Sequence, residues 1–191
     1  MQERAARTHD ALIHAAAVEF DTRGYEGASL SRISKRADTS MGALTFHFAT
    51  KRELAEAVRA AGRDAVAPVV HGAVSASGTP LEALAGLTVA VVRLLEHDVA
   101  TRAAARLERD GLPGGQGARP VPGWADGVRL LLERAAASGD LRPGVPPDTA
   151  ALLLTWLVEG SRVEPRAGAG HHVDQVWELV LHGVGADPPP R

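Results

Sequence analysis

The chain has 191 residues, a formal net charge of −2, a pI near 6.4 and no cysteine. That length can bury a core without cross-links, and the missing thiols exclude disulfides and thiolate metal sites. No apolar run reaches the ~18 residues of a membrane span and none opens the chain as a secretory signal would, so the expected partners exclude a membrane and the expected location is the cytoplasm.

Apolar residues recur at helical spacing almost throughout and alternating β-branched runs are absent, which predicts an all-α fold. Residues 4–23 read as a helix with the stripe Leu12, Ile13, Ala16, Ala17 and Phe20, stopped at Gly24. Residues 29–37 form a short helix capped by Ser29, with Leu30, Ile33 and Ala37 inward, and Asp38-Thr39 make a tight turn into a second short helix over 40–47. Thr50 and Glu53 form a capping box for a longer helix that Pro68 should kink or end. Thr79-Pro80-Leu81-Glu82 opens another helix, and further helices are expected over 98–110, 124–138, 147–162 and from Val173 to Val184. Stretches 111–123 and 163–171 read as loops, and the tail 187–191 as disordered.

Two short helices braced by a longer first one are the layout of a helix-turn-helix. The second helix must enter a major groove, so its outward side chains must be small or able to hydrogen-bond. Ser40, Met41, Ala43, Leu44, Thr45 and His47 suit that, with Gly42 allowing close approach and Phe46 and Phe48 expected to anchor the helix to the bundle. Lys51 at the capped start of the next helix points toward a phosphate. With Ser29 and Arg32 of the preceding helix, these residues make up the candidate DNA-contacting set. The pattern alone fits an ordinary helical hairpin about as well. The acidic balance argues weakly against DNA, but between Ser29 and Arg59 the bases Arg32, Lys35, Arg36, Lys51, Arg52 and Arg59 outnumber Asp38, Glu53 and Glu56.

The run Gly24-Tyr25-Glu26-Gly27-Ala28-Ser29-Leu30, then Ile33, Gly42-Ala43-Leu44-Thr45-Phe46-His47-Phe48 and Lys51-Arg52-Glu53-Leu54, resembles the N-terminal domain of TetR-type repressors. The resemblance implies a helix-turn-helix domain over 1–65, with the motif at about 29–48, and a ligand-binding and dimerisation domain over 66–191. The family usually has glycine at the position of Asp38 and an aromatic at Thr45, and the nearest subgroup lysine at Met41. The last two positions commonly touch DNA, so the operator is expected to differ.

The body carries a looser resemblance. Ala105-Arg106-Leu107, Trp124, Ala136-Ala137-Ser138-Gly139-Asp140-Leu141-Arg142-Pro143-Gly144-Val145 and Glu159-Gly160 are similar to the γ-butyrolactone receptor subgroup, which releases DNA on binding lactones, furans, butenolides or antibiotic intermediates. It implies a small-molecule effector, with Trp124 as a pocket wall and Leu84, Thr88, Val91, Leu107, Leu152 and Trp156 as neighbours. Val121 stands where some relatives carry a pocket tyrosine, and Glu108 where some carry a neutral polar residue. It also implies a homodimer on an inverted repeat of double-stranded DNA, with Leu157, Val173, Val176, Trp177, Val180 and Leu181 at the dimer interface. On residues alone, Trp124 reads rather as core at the start of a helix, by about two to one.

No phosphate-binding loop, nucleophile elbow or paired-histidine spacing is present, so neither enzyme activity, cofactor nor metal is expected. His171-His172 read as a solvated loop, and His14 with Asp10 as an ordinary surface pair. The runner-up is a helical dimeric binding module with weak or lost DNA affinity.

Overall fold

The structure, a computed structural model, describes residues 2–111, 123–163 and 169–185. Among them lie nine helices: α1 Gln2–Gly27, α2 Leu30–Arg36, α3 Met41–His47, α4 Lys51–Ser75, α5 Pro80–His97, α6 Val99–Asp110, α7 Trp124–Ser138, α8 Pro147–Val163 and α9 Ala169–Val184. The described residues include no strand beyond an isolated bridge between Leu141 and Gly185.

Local chemistry sets most boundaries. Ser29 Oγ accepts from the Arg32 amide at 3.3 Å, and Ser40 Oγ accepts from the Ala43 amide at 3.1 Å. At α4 the Glu53 amide donates to Thr50 Oγ1 at 3.1 Å, while the Glu53 carboxylate accepts from the Ala49 amide at 3.0 Å. At α5 the Thr79–Glu82 box closes reciprocally, at 3.2 and 3.0 Å. The end of α2 is a Schellman turn: the Asp38 amide reaches Lys35 O, the Thr39 amide reaches Ser34 O, and Asp38 sits at φ 50°.

Three expected boundaries move. Gly24 kinks α1 with φ 69° rather than ending it. Pro68 lies inside α4, which continues to Ser75. Both Pro68 and Asp64 are exposed, so water can serve the carbonyl that the missing N–H leaves open. The last helix begins at Ala169, so His171 and His172 are helical and not in a loop. Val121 and the tail lie outside the described residues, as do the side chains of Val173 and Leu181.

The chain divides into two compact units, Met1–Ala65 with His97–Pro122, and Val66–Glu96 with Gly123–Arg191. In this division α6 groups with the N-terminal unit. The core of this unit joins Leu12, Ala16 and Phe20 of α1, Ile33 of α2, Leu44 of α3, Phe48, and Leu54 and Val58 of α4 to Ala103 and Leu107 of α6. α4 and α6 approach so closely that a Cβ on Gly62 would stand 2.4 Å from the Ala104 methyl. Charge fixes α6 further. Arg102 Nε meets Asp21 Oδ2 at 2.8 Å, Arg106 donates to Asp21 O at 2.6 Å, and Arg59 pairs with both Glu108 and Glu56. Burial alone would lower the Arg59 pKa, but the hydrogen bonds and charges of Glu108 and Glu56 outweigh it and raise it.

In the C-terminal unit α5 buries Leu84, Leu87, Val91 and Leu95, α7 buries Trp124, Val128, Leu131 and Leu132, α8 buries Leu154 and Val158, and α9 buries Trp177. Each such side chain contributes about 1.5–3 kcal/mol when buried. A Cβ on Gly127 would meet Val70 at 2.6 Å, so α7 lies against the last turns of α4 with no room for a side chain.

Candidate nucleic-acid interface

Within the N-terminal unit, Ile33, Leu44 and Phe48 are at most 5% exposed and pin α2 and α3 to α1 and α4. The outer face of α3 is then bare. Ser40, Met41, Gly42, Thr45 and Phe46 are exposed, and Ala43 and His47 are half-buried. Such a face, small at its N-terminal end and flanked by two serine-capped helix starts, fits a groove lined by phosphates. The Ser29 and Ser40 hydroxyls each accept an amide proton in capping and keep their own proton for an outside acceptor. Thr45 Oγ1 lies 3.0 and 3.1 Å from the Met41 and Gly42 carbonyls, so its proton turns back on the helix and its lone pairs face outward. The His47 ring packs edge-on to Phe46 and to His9 of α1.

Several expected contacts change. Leu44 is fully buried and cannot touch a base. Phe46, expected as an anchor, is 83% exposed, while Phe48 is buried and stacks on His9. A helical wheel carries the signal: Phe46 lies about 200° around the axis from Leu44, whereas Phe48 returns to its side. Lys51 does not stand free. Its ammonium donates to Tyr25 O at 2.8 Å and to Ala28 O at 3.4 Å, over the Tyr25 ring at 4.4 Å. Arg32 bonds Glu19 through Nε at 3.0 Å and also donates to Gly27 O. Glu19, 3% exposed, is absent from the sequence-derived site although the signal is present: it stands seven residues after Leu12 and three after Ala16, on the apolar face of α1, where a carboxylate needs partners.

In the C-terminal unit Trp124 is 1% exposed, and its indole N–H has no partner among the described residues. An unpaired buried donor costs about 1–3 kcal/mol, so a ligand acceptor there would remove a standing penalty. Leu84, Thr88 and Val91 are also buried, with the Thr88 hydroxyl bonded to Leu84 O. The remaining neighbours differ from expectation. Leu107 packs in the N-terminal core, and Leu152 and Trp156 point outward, Trp156 at 64% exposure. Of the expected interface residues, Trp177 is buried within its own unit, Leu157 and Val180 are half-buried, and Val176 is exposed. Leu152, Leu153 and Trp156 of α8 and Val176 and Leu179 of α9 are large apolar side chains left to solvent.

Among the described residues, no group of three or more carboxylates and histidines could hold a metal ion, and no helix is long and apolar enough to cross a membrane.

Comparison with known proteins agrees with this geometry. Residues 12–58 match the bacterial regulatory proteins of the tetR family. The A-factor receptor protein of Streptomyces griseus is 30% identical over 188 residues, covering 96% of this chain, and the chain spans 66% of that relative's length. A solved gamma-butyrolactone receptor, described as ArpA-like, is 31% identical with a TM-score of 0.82, over 95% of this chain and 90% of its own. CprB from Streptomyces coelicolor, solved in complex with its biological operator sequence, is 30% identical with a TM-score of 0.80, over 95% and 90%. These relatives are regulators and receptors by description.

Proposed function

The chain belongs to the tetR family of bacterial regulatory proteins, and on that premise we propose that it is a ligand-responsive repressor that binds an inverted-repeat operator as a homodimer, in the cytoplasm. The observation that carries the reading is the bare outer face of α3 on a motif whose inner residues are fully buried. A rigid helix whose outer face mixes Ser40, Gly42 and Thr45 with the exposed apolar Met41 and Phe46 offers both the hydrogen-bonding and the apolar contacts of major-groove reading. Two-fold symmetry would place the α3 helices of two copies in successive grooves, about 34 Å apart. The outward apolar side chains of α8 and α9 supply the contact surface, since a surface patch of this kind is uncommon on a monomer.

The effector would be a small, mainly apolar molecule offering a hydrogen-bond acceptor to Trp124. A γ-butyrolactone, butenolide, furan or antibiotic intermediate has that chemistry, and the controlled genes would be those of secondary metabolism. Linkage requires the effector to favour the state that does not bind DNA, and a hundredfold loss of DNA affinity corresponds to about 2.7 kcal/mol of coupling.

The deciding experiment is a gel shift on the DNA flanking the chain's own gene, repeated with candidate lactones and with culture extract. Binding to an inverted repeat that the additive releases is the expected result. Specific binding without release would remove the effector. A specific observation also favours a second reading, a dimeric helical module with weakened DNA affinity: the Lys51 ammonium and the Thr45 proton are both engaged internally. Binding no tighter to the inverted repeat than to random DNA would decide for it.

A further inference from the structure

Glu19 of α1 is a buried carboxylate in contact with three arginines. Its side chain is 4% exposed, between the fully buried Ala16 and Phe20. Oε2 lies 3.0 Å from Arg32 Nε and 3.5 Å from Arg23 Nε, and Oε1 lies 3.8 Å from Arg36 Nη2. Arg32 is held at a second point by the Gly27 carbonyl. The arginine side chains remain 43–51% exposed, so their inner edges meet Glu19 while other N–H groups stay in solvent. One negative charge against three positive leaves this patch with a net charge of +2. A buried carboxylate is tolerated only when paired and hydrogen-bonded.

Arg32 and Arg36 lie on α2, one turn apart. In a helix-turn-helix the first helix crosses the phosphate backbone while the second reads the groove. A guanidinium anchored through one edge keeps its other N–H groups in a fixed fork that fits a phosphate. We infer that Glu19 is a positioning residue for DNA binding: it gathers Arg23, Arg32 and Arg36 into a preset cradle for the phosphate backbone beside α3. The inference rests on the DNA-binding reading above and adds to it a residue that never touches DNA.

The sign of one substitution separates this from general electrostatics. Glu19→Gln keeps the shape and removes a negative charge, so charge alone predicts tighter DNA binding. Positioning predicts weaker binding, because the arginines lose their charged tether, Arg32 keeping only Gly27 O as a full partner, and must then be ordered by the DNA. The test measures binding of the full chain to a random-sequence duplex of about 30 base pairs across a salt series. Glu19→Gln should bind about tenfold more weakly at low salt, with the slope of log affinity on log salt reduced by about one unit or more. Arg32→Lys, which keeps the charge but lacks the planar fork that faces Glu19 and Gly27 O with one edge and solvent with the other, should also bind more weakly than the parent.

Equal or tighter binding by Glu19→Gln overturns the proposal. So does an unchanged slope in a variant that merely melts at lower temperature, since that outcome makes Glu19 structural. If Glu19→Gln fails to fold by circular dichroism, Arg32→Lys decides: weaker binding sustains the cradle, and parental binding overturns it. A parent chain that binds no duplex at any salt removes the DNA-binding reading itself, and the cradle with it.

Discussion

Asp38 occupies the left-handed position of the turn between α2 and α3, at φ 50°. A residue with a Cβ is strained there, although aspartate tolerates it better than most, and the carboxylate adds a negative charge to a face proposed to meet phosphate. Asp38→Gly should therefore raise the melting temperature by a few degrees, up to about 1 kcal/mol, and tighten DNA binding; a thermal melt and a binding isotherm check both signs. Lys51 joins the start of α4 to the end of α1 through two carbonyls and the Tyr25 ring. Lys51→Ala should lower the melting temperature by about 1–3 kcal/mol worth of stability, because two partly buried carbonyls lose a charged donor. Its salt slope for DNA should stay within about half a unit of the parent; a full unit lost would return Lys51 to phosphate contact. Trp124→Phe keeps most of the ring volume and removes the unpaired N–H. It should retain operator binding, gain slightly in stability, and respond to effector about tenfold more weakly, the worth of about one hydrogen bond. Release at parental effector concentration would make Trp124 simple core.

At the level of elements, the exposed apolar residues of α8 and α9 call for a cover. Trp156→Asp and Leu179→Asp alter side chains that are 64% and 75% exposed, so the fold of one chain should survive them. Each should give a folded monomer by light scattering with normal helical circular dichroism, and each should abolish operator binding. A variant that remains dimeric moves its residue out of the interface. The same helices show what the sequence could convey. The caps at Ser29, Thr50 and Thr79 were legible because capping is decided within four residues. The outward turn of Leu152 and Trp156 was not, since an apolar residue calls for burial without saying whether its own core or another copy provides it. The seat of Leu107 in the N-terminal core was hidden for a related reason. Its helix is amphipathic wherever it packs, and its partner α1 lies some eighty residues earlier, as the Arg102–Asp21 and Arg106–Asp21 contacts show. The burial of Glu19 could be read from its place on the stripe of Leu12 and Ala16, but its partners could not, because Arg32 and Arg36 reach it from another helix.

For the whole molecule, the N-terminal unit is discontinuous in sequence, with α1 to the first turns of α4 completed by α6. Cutting the chain at residue 65, where the motif pattern ends, leaves Leu12, Phe20 and Val58 without Ala103 and Leu107. A fragment 1–65 should melt broadly or not fold, losing about 2–5 kcal/mol as if a buried leucine had been removed. A chain in which a short Gly/Ser linker joins residue 65 to residues 97–111 should recover a cooperative transition. Calorimetry on the two fragments tests this, and equal cooperativity would mean that α6 is dispensable to the unit.

That discontinuity also sets an order of events while the protein is being made. The helix-turn-helix leaves the ribosome early, but the last helix of its core ends at Asp110, 45 residues after Ala65 (110 − 65). At about 5–20 residues per second, the seat for α6 on α1 stays open for roughly 2–9 seconds. During that interval the nascent chain displays apolar surface and arginine-bearing helices without their final brace. It would be a client for a chaperone until α6 closes over α1.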